Sequence, residues 1–416
     1  MSKFKLIFKL KQHTPLIHFQ HDQKGATLRA TELKPKLDKF ILMKMGQEAD
    51  STLSDRDSIY KKGIKVAKDK NRLVGKGKHP ALDYKVKLNA RFETKNEKPD
   101  KRDPLYFGNM GDGKDKHFIS PGNESTDFVF VEFFSFQKEI INEIEKYFAE
   151  FLMKNNFGTR QSKGFGSFYI DESDENYIEP EKVLENHFYL SFIKNGDVRD
   201  NISVIYRLMK SGINFPDYPM IEYTDYRGKR GRRPDPEQGR GKNEFYFKSF
   251  LSEYFLAKKI GNEKHFIKEN FFHPGIRIPP DGLEKRYIRS VLGVAGSVEF
   301  KDKDRKGIIE YKSDEIERFK SPILFKVIGE SVYMVPEIIP EKIKNLKFEL
   351  ICRSNDSNNK SRKEIYTPDT FDLKDFMKKY AEHFNHLDRT VLEGKNGRLH
   401  NIINATKDIR IKIHEV

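Results

Sequence analysis

Three histidines, His13, His18 and His21, fall within nine residues, and Asp22 and Lys24 follow at once. Imidazoles this close to a lysine are what a metal-independent ribonuclease uses as general base and general acid. A plainer role fits the same residues: histidines beside a nucleic-acid groove more often stack or hydrogen-bond, and an aspartate next to Lys24 can simply cap a turn. The single Cys352 excludes an internal disulfide and any multi-cysteine zinc site. No Walker P-loop, H-E-x-x-H pair or nucleophile elbow occurs, so no cofactor and no metal are expected.

A second constellation is FGTRQSKGFGSFYI, residues 157–170. Gly158, Gly164 and Gly166 permit backbone conformations that other residues resist, and they let a phosphate or ribose come close to the main chain. Arg160 and Lys163 add charge, while Phe165 and Phe168 can stack on a base or fill the core. KGFG imitates part of the RRM signature, K/R-G-F/Y-G/A-F-V-x-F/Y. The imitation departs from it at Ser167, where an apolar residue is expected. It also follows a long helix, which suits the last strand of a βαββαβ unit.

The elements that must hold these residues are legible in the apolar spacing. Residues 3–11 alternate Phe4, Leu6, Phe8 and Leu10 with lysines, the pattern of a half-buried strand. Leu33, Leu37, Phe40 and Ile41 predict a helix over 29–45, with Pro35 in its first turn or kinking it. The stretch 46–123 is polar and weakly patterned, and is expected to be a long basic insertion whose removal leaves the core folded. A strand at 126–136 and a helix at 137–154 lead into the glycine-rich loop. DESDENYIEPEK, residues 171–182, is the expected linker. Beyond it come a strand at 187–194, helices at 200–211, 243–259 and 371–386, and strands at 291–301 and 321–336. The fold class expected is α+β.

Charge is concentrated. The chain of 416 residues has a net charge of +15, and residues 61–78 hold eight Lys/Arg against one Asp. Residues 227–242 hold seven against two acids. Both stretches read as loops able to wrap a polyanion by counterion release. Neither carries an amphipathic apolar face and no segment is long and apolar enough to span a bilayer, so a membrane partner is not expected and the location expected is cytoplasmic.

The order of parts, with GATLRATELKPKLDKF at 25–40 and GTRQSKGFGSF at 158–168, resembles the RAMP superfamily of CRISPR-associated proteins. ERFKSPILFKVI, residues 317–328, looks like the Arg-x-x-Ser-Pro plus strand found in the first RAMP subunit of type III-B Cmr effector complexes. The resemblance implies two ferredoxin-like, RRM-related domains: residues 1–185 with the insertion about 46–123, and residues 186–416 with the basic loop about 227–242. It also implies an RNA-binding subunit of a type III effector, with CRISPR RNA, target RNA and other RAMP subunits as partners. Arg160, Ser162, Lys163, Gly164 and Gly166 fall where that family touches the RNA backbone. Arg29 and Lys34 lie in the segment matching its basic groove, which Lys36 and Lys39 extend. Pro35 replaces the glycine often found after that lysine. Arg318 sits in the Arg-x-x-Ser-Pro match, where it can equally be a structural ion-pair partner. Some RAMP proteins cleave RNA, so the alternative is an endoribonuclease using His18, His21 or Asp22. The aspartate would act there as the loop aspartate of the effector's backbone subunits does, in metal-dependent cleavage. No catalytic residue is expected in the leading reading.

Overall fold

The computed structural model describes residues 4–17, 27–75, 80–90, 96–97, 118–121, 127–215, 220–224, 230–234, 245–273, 282–294, 296–302, 305–354, 361–388, 403 and 406–415. It is a mixed α/β chain with several antiparallel sheets, divided into two compact units. The first comprises Met1–Ser203, Lys320–Lys344 and Phe371–Val416, and the second Val204–Phe319 and Asn345–Thr370.

The first unit is built on two four-stranded sheets. In the first, β1 (Lys5–Gln12) leads to α1 (Ala30–Ala49), α2 (Arg56–Asp69) and β2 (Lys85–Ala90). Then come β3 (Val129–Phe134), α3 (Lys138–Met153) and β4 (Phe168–Ile170). The strand order is β2-β3-β1-β4, antiparallel throughout, with Phe8 opposite Val131 and Leu10 opposite Ile170. Alternation along β1 sends Leu6, Phe8 and Leu10 into the core. They meet Phe133 and Phe148, whose rings stand 5.2 Å apart edge to face, an arrangement that aromatic quadrupoles favour. Pro35 lies inside the first turns of α1 without ending it.

The second sheet repeats the order. Its elements are β5 (Tyr189–Ile193), α4 (Val198–Lys210), β6 (Ile323–Ile328), β7 (Ser331–Pro336), α5 (Leu373–His386) and β8 (Lys412–His414), and its strands run β6-β7-β5-β8. The hairpin β6–β7 turns at Gly329 with φ 56°, the left-handed conformation that glycine adopts without a steric penalty.

The expected insertion 46–123 is only partly an insertion. It contains the end of α1, all of α2 and the edge strand β2, so removing 61–117 would take away a sheet strand and most of a helix. The basic run 61–78 likewise begins as helix, because Ile59, Gly63 and Ala67 make a narrow buried stripe against α1. Glycine and alanine in that stripe hide it from a count of bulky apolar residues. The linker 171–182 is pinned to the first sheet: the Asp174 carboxylate accepts the Lys9 amide at 2.6 Å, and the Tyr169 hydroxyl donates to the Ile178 carbonyl at 2.7 Å.

The second unit carries a four-stranded antiparallel sheet made of Ser297–Asp302, Arg305–Lys312, Lys347–Ser354 and Ser361–Tyr366, in that order. The helix expected at 243–259 is the shorter Phe250–Ala257, capped by the Ser249 hydroxyl, and the strand expected from 291 starts at Ser297 after a 3-10 turn. Buried Glu263 pairs with Arg289 and accepts the Ile288 amide at 3.1 Å, so the charge is compensated where it is desolvated. Of the basic loop 227–242, Arg230–Pro234 is a strand paired with Met220–Thr224, and the remainder lies outside the described residues.

Candidate nucleic-acid interface

The glycine-rich loop is folded into the protein rather than held open. The Phe157 amide donates to the Gly166 carbonyl at 2.9 Å, the Gly166 amide to Pro15 at 2.8 Å and the Thr14 hydroxyl to the Gly164 carbonyl at 2.6 Å. Gly158, Gly164 and Gly166 all have positive φ. The space each leaves is filled by protein: a Cβ on Gly166 would overlap the Phe157 carbonyl, and one on Gly164 would reach the Ile202 side chain at 2.6 Å. Phe165 is 1% exposed and Phe168 is fully buried, so both rings are core side chains without an open face for a base. Arg160 is half-buried and takes a left-handed conformation, φ 58°, while Ser162 and Lys163 are half-buried on the 3-10 turn Gln161–Lys163.

The loop instead joins the two sheets of the first unit. Ser167, the departure from the RRM pattern, donates its hydroxyl to the Val327 carbonyl of β6 at 2.7 Å. The Asn156 amide donates to the Phe325 carbonyl at 2.8 Å. From β6, the buried Lys326 ammonium reaches back to the carbonyls of Phe168 at 2.7 Å and Asn155 at 3.1 Å. Burial holds its pKa well below the usual lysine range.

The predicted basic residues divide. Lys34 is a structural partner: it pairs with Asp38 at 2.9 Å, donates to Leu82 at 2.9 Å and lies over the Tyr84 ring. Arg29 is half-buried at the start of α1. Arg318, in the second unit, is exposed at the rim of a cavity shared with Lys312, Asp314 and Glu317. His18, His21 and Asp22 lie outside the described residues. His13 accepts the Gly329 amide at 3.1 Å, and burial, with the ammonium groups of Lys326 and Lys11, pushes its imidazole pKa down to about 3. At neutral pH it is therefore uncharged and a weak base. Among the described residues no group of three or more His, Cys, Asp and Glu side chains is placed to hold a metal ion, and no helix is long and apolar enough to cross a membrane.

Lys36 and Lys39 come together with residues that spacing did not single out. They line a cleft of about 350 Å³ in the first unit, between α1, the start of α2 and the β6–β7 hairpin. Lys44, Arg56, Lys154 and Lys320 complete a set of six cations. Among the described residues the carboxylates paired with them are three: Glu32 with Lys36 at 2.8 Å, Glu150 with Lys44 at 2.6 Å and Lys154 at 2.7 Å, and Glu337 with Lys320 at 2.6 Å and Arg56 at 3.9 Å. Lys39 has no carboxylate within ion-pair distance among the described residues, and sits 5.6 Å from the Tyr60 ring. Burial and then the neighbouring Arg56 lower its pKa. Lys36 and Lys154 are lowered by burial against the pull of their glutamates. Although burial opposes it, hydrogen bonds from His187 and the charge of Lys154 hold the Glu150 carboxyl well below the usual carboxylate range. Positive charge in excess of the paired carboxylates, set in a partly desolvated recess, attracts anions. On α1 the signal was available, since Lys36, Phe40, Met43 and Gln47 share one helical face. Lys154 and Lys320 arrive from distant segments that no spacing connects.

A family model described as the Cmr1 N-terminal domain matches residues 3–213, and one described as the Cmr1 C-terminal domain matches residues 246–408. The crystal structure of apo Cmr1 from Pyrococcus furiosus aligns over 81% of this chain and 90% of that one, at 11% identity and a TM-score of 0.37. No curated protein matches the chain. With the first family model alone spanning half its length and the second covering most of the remainder, the chain belongs to the Cmr1 family of type III-B RAMP proteins.

Proposed function

We propose that this chain is the RNA-binding subunit of a type III-B CRISPR effector, holding CRISPR RNA or its duplex with target RNA through backbone contacts and docking onto other RAMP subunits. Family membership supports the assembly. The observation that carries RNA binding is the cleft between α1 and the β6–β7 hairpin, with six cations against three carboxylates. Lysine and arginine at that density neutralise phosphate and release counterions, whatever the base sequence. We further infer that each sheet of the first unit belongs to a ferredoxin-like domain, residues 1–185 and 186–416. The shared strand order, second-third-first-fourth with a helix after the first and third strands, supports this. On that reading the second unit is two excursions from the later domain, one leaving within α4 at Val204 and one after β7. Arg29, Arg160, Ser162, Lys163 and Arg318 remain proposed backbone contacts.

The test is to purify the protein from a host carrying its native locus and to sequence the nucleic acid that comes with it. Short RNAs sharing a repeat-derived tag, together with other RAMP proteins, are the expected result. The protein alone, with heterogeneous RNA or none, would sink the proposal. Incubation of the same preparation with labelled precursor and target RNA, with and without magnesium, is expected to leave both uncut.

A further inference from the structure

Alternation fixes what the first sheet shows on each of its faces. Leu6 and Phe8 of β1 and Val131 and Phe133 of β3 join Leu33 of α1 and Phe148 of α3 in one apolar core. The residues between them along each strand are therefore turned to the other side. There Lys85, Phe134 and Lys5 stand opposite one another on β2, β3 and β1, and Lys87, Glu132 and Ile7 form the next row. Ile7 is 36% exposed, and Phe136, just past the end of β3, is 83% exposed with its ring edge to face on Phe134 at 5.0 Å. Large apolar groups gathered in the open on one sheet face mark a surface that something else covers.

The charge around the rings selects the occupant. Lys85 and Lys87 are exposed and have no carboxylate within ion-pair distance among the described residues. Glu132, the carboxylate on these rows, is paired with Lys5 at 3.0 Å. Protein interfaces are depleted in lysine, most of all at their centres. Here lysines flank Phe134 from both neighbouring strands, which lie about 5 Å away on either side. Aromatic surface set between ammonium groups suits single-stranded nucleic acid, with base on ring and phosphate on lysine. A duplex keeps the faces of its bases stacked inside and has nothing to lay on the rings.

We infer that the open face of the first sheet is a second binding surface, for single-stranded RNA, with bases on Phe134 and Phe136 and the backbone against Lys5, Lys85 and Lys87. It lies on the side of the sheet away from α1, and so away from the cleft. The inference rests on the RNA-binding reading for the class of ligand and on none of the residues that line the cleft.

The test uses the full chain and takes advantage of its lack of tryptophan. Phe136→Trp places a single fluorophore on the open face, and a short oligouridylate is titrated into it, first in the otherwise unchanged chain and then with Lys39→Glu and Lys320→Glu disabling the cleft. Single-stranded RNA is expected to quench the tryptophan in both backgrounds, and a blunt RNA duplex in neither. Lys85→Glu with Lys87→Glu should weaken oligonucleotide binding about tenfold in the cleft-disabled chain, and Phe136→Ser should do the same, since one stacked base contributes on that scale. These side chains reach solvent, so the melting temperature should not move. An unquenched tryptophan, or full RNA affinity in Lys85→Glu with Lys87→Glu, would overturn the inference and leave the face to a protein partner. RNA held by the unchanged chain and lost when the cleft is disabled removes the second surface and keeps the RNA-binding reading. RNA held undiminished by the cleft-disabled chain, with the tryptophan quenched, keeps the second surface and removes the cleft from that reading.

Discussion

At the scale of single residues, the glycine-rich loop shows how a motif can be conspicuous for structural reasons. Gly166 has φ 65° and its missing Cβ faces the Phe157 carbonyl, whereas the space beside Gly164 borders the flexible end of Ile202. Gly166→Ala is therefore expected to cost more folding stability than Gly164→Ala. The left-handed backbone alone accounts for roughly 1–2 kcal/mol in either case. Urea midpoints of the two variants check the ranking, and a larger loss at Gly164 would contradict it. His13 carries a pH signature. Its pKa is about 3 in the folded chain against 6.5 when free. Between those values the unfolded chain binds the extra proton, so this contribution to stability is intact above pH 6.5 and is lost as the pH falls towards 3. His13→Gln, which keeps an acceptor for the Gly329 amide, should reduce the loss of unfolding free energy between neutral pH and about pH 5, by an amount on the order of 1 kcal/mol read from urea midpoints at the two pH values. An unchanged pH dependence would show that the folded imidazole titrates normally. The glycines, Ser167 and the lysines of α1 were all visible in the sequence. What they pack against was not, because β6 lies about 160 residues further along the chain.

At the scale of elements, the crossing of α1 and α2 brings two helix backbones together. A Cβ on Gly63 would overlap the Leu42 carbonyl, and one on Gly46 the Ile59 carbonyl. Replacing a mid-helix glycine by alanine ordinarily stabilises a helix by about 1 kcal/mol. Here the sign is expected to reverse: Gly63→Ala should destabilise by about 1–3 kcal/mol, as overpacked contacts do. Thermal melting checks it, and a raised midpoint would mean that the helices separate at little cost. The strand β1 was legible from its clean alternation, β3 from its apolar run, and the helices α3 and α5 from their bulky stripes. The helix α2 was hidden by its small residues. The edge strand β2, KVKLNA, is short, and none of its side chains is fully buried. Of the cleft, only the α1 side could be read, since a site assembled from a helix face and a hairpin has no linear spacing.

At the scale of the whole molecule, the net charge of +15 and the cation surplus of the cleft give a measurable expectation for RNA binding. The logarithm of affinity should fall linearly with the logarithm of salt concentration, and Lys39→Ala with Lys320→Ala should flatten the slope by about 1 per lysine. A slope unchanged in the double variant would mean that these lysines do not meet phosphate. The first unit also carries a cavity of about 680 Å³ edged by Asp171, Glu172, Glu179, Glu181 and Glu330, with Lys11 as its one lysine, where a polyanion is expected to be disfavoured. The second sheet carries a different consequence, one of timing. Its last strand, Lys412–His414, pairs with Tyr189–Ser191 more than 220 residues earlier, so the ribosome must release more than 220 residues after β5 before the sheet can close. Until then β5 presents an unpaired edge to its surroundings, and the nascent protein is more exposed to wrong pairings than the finished one.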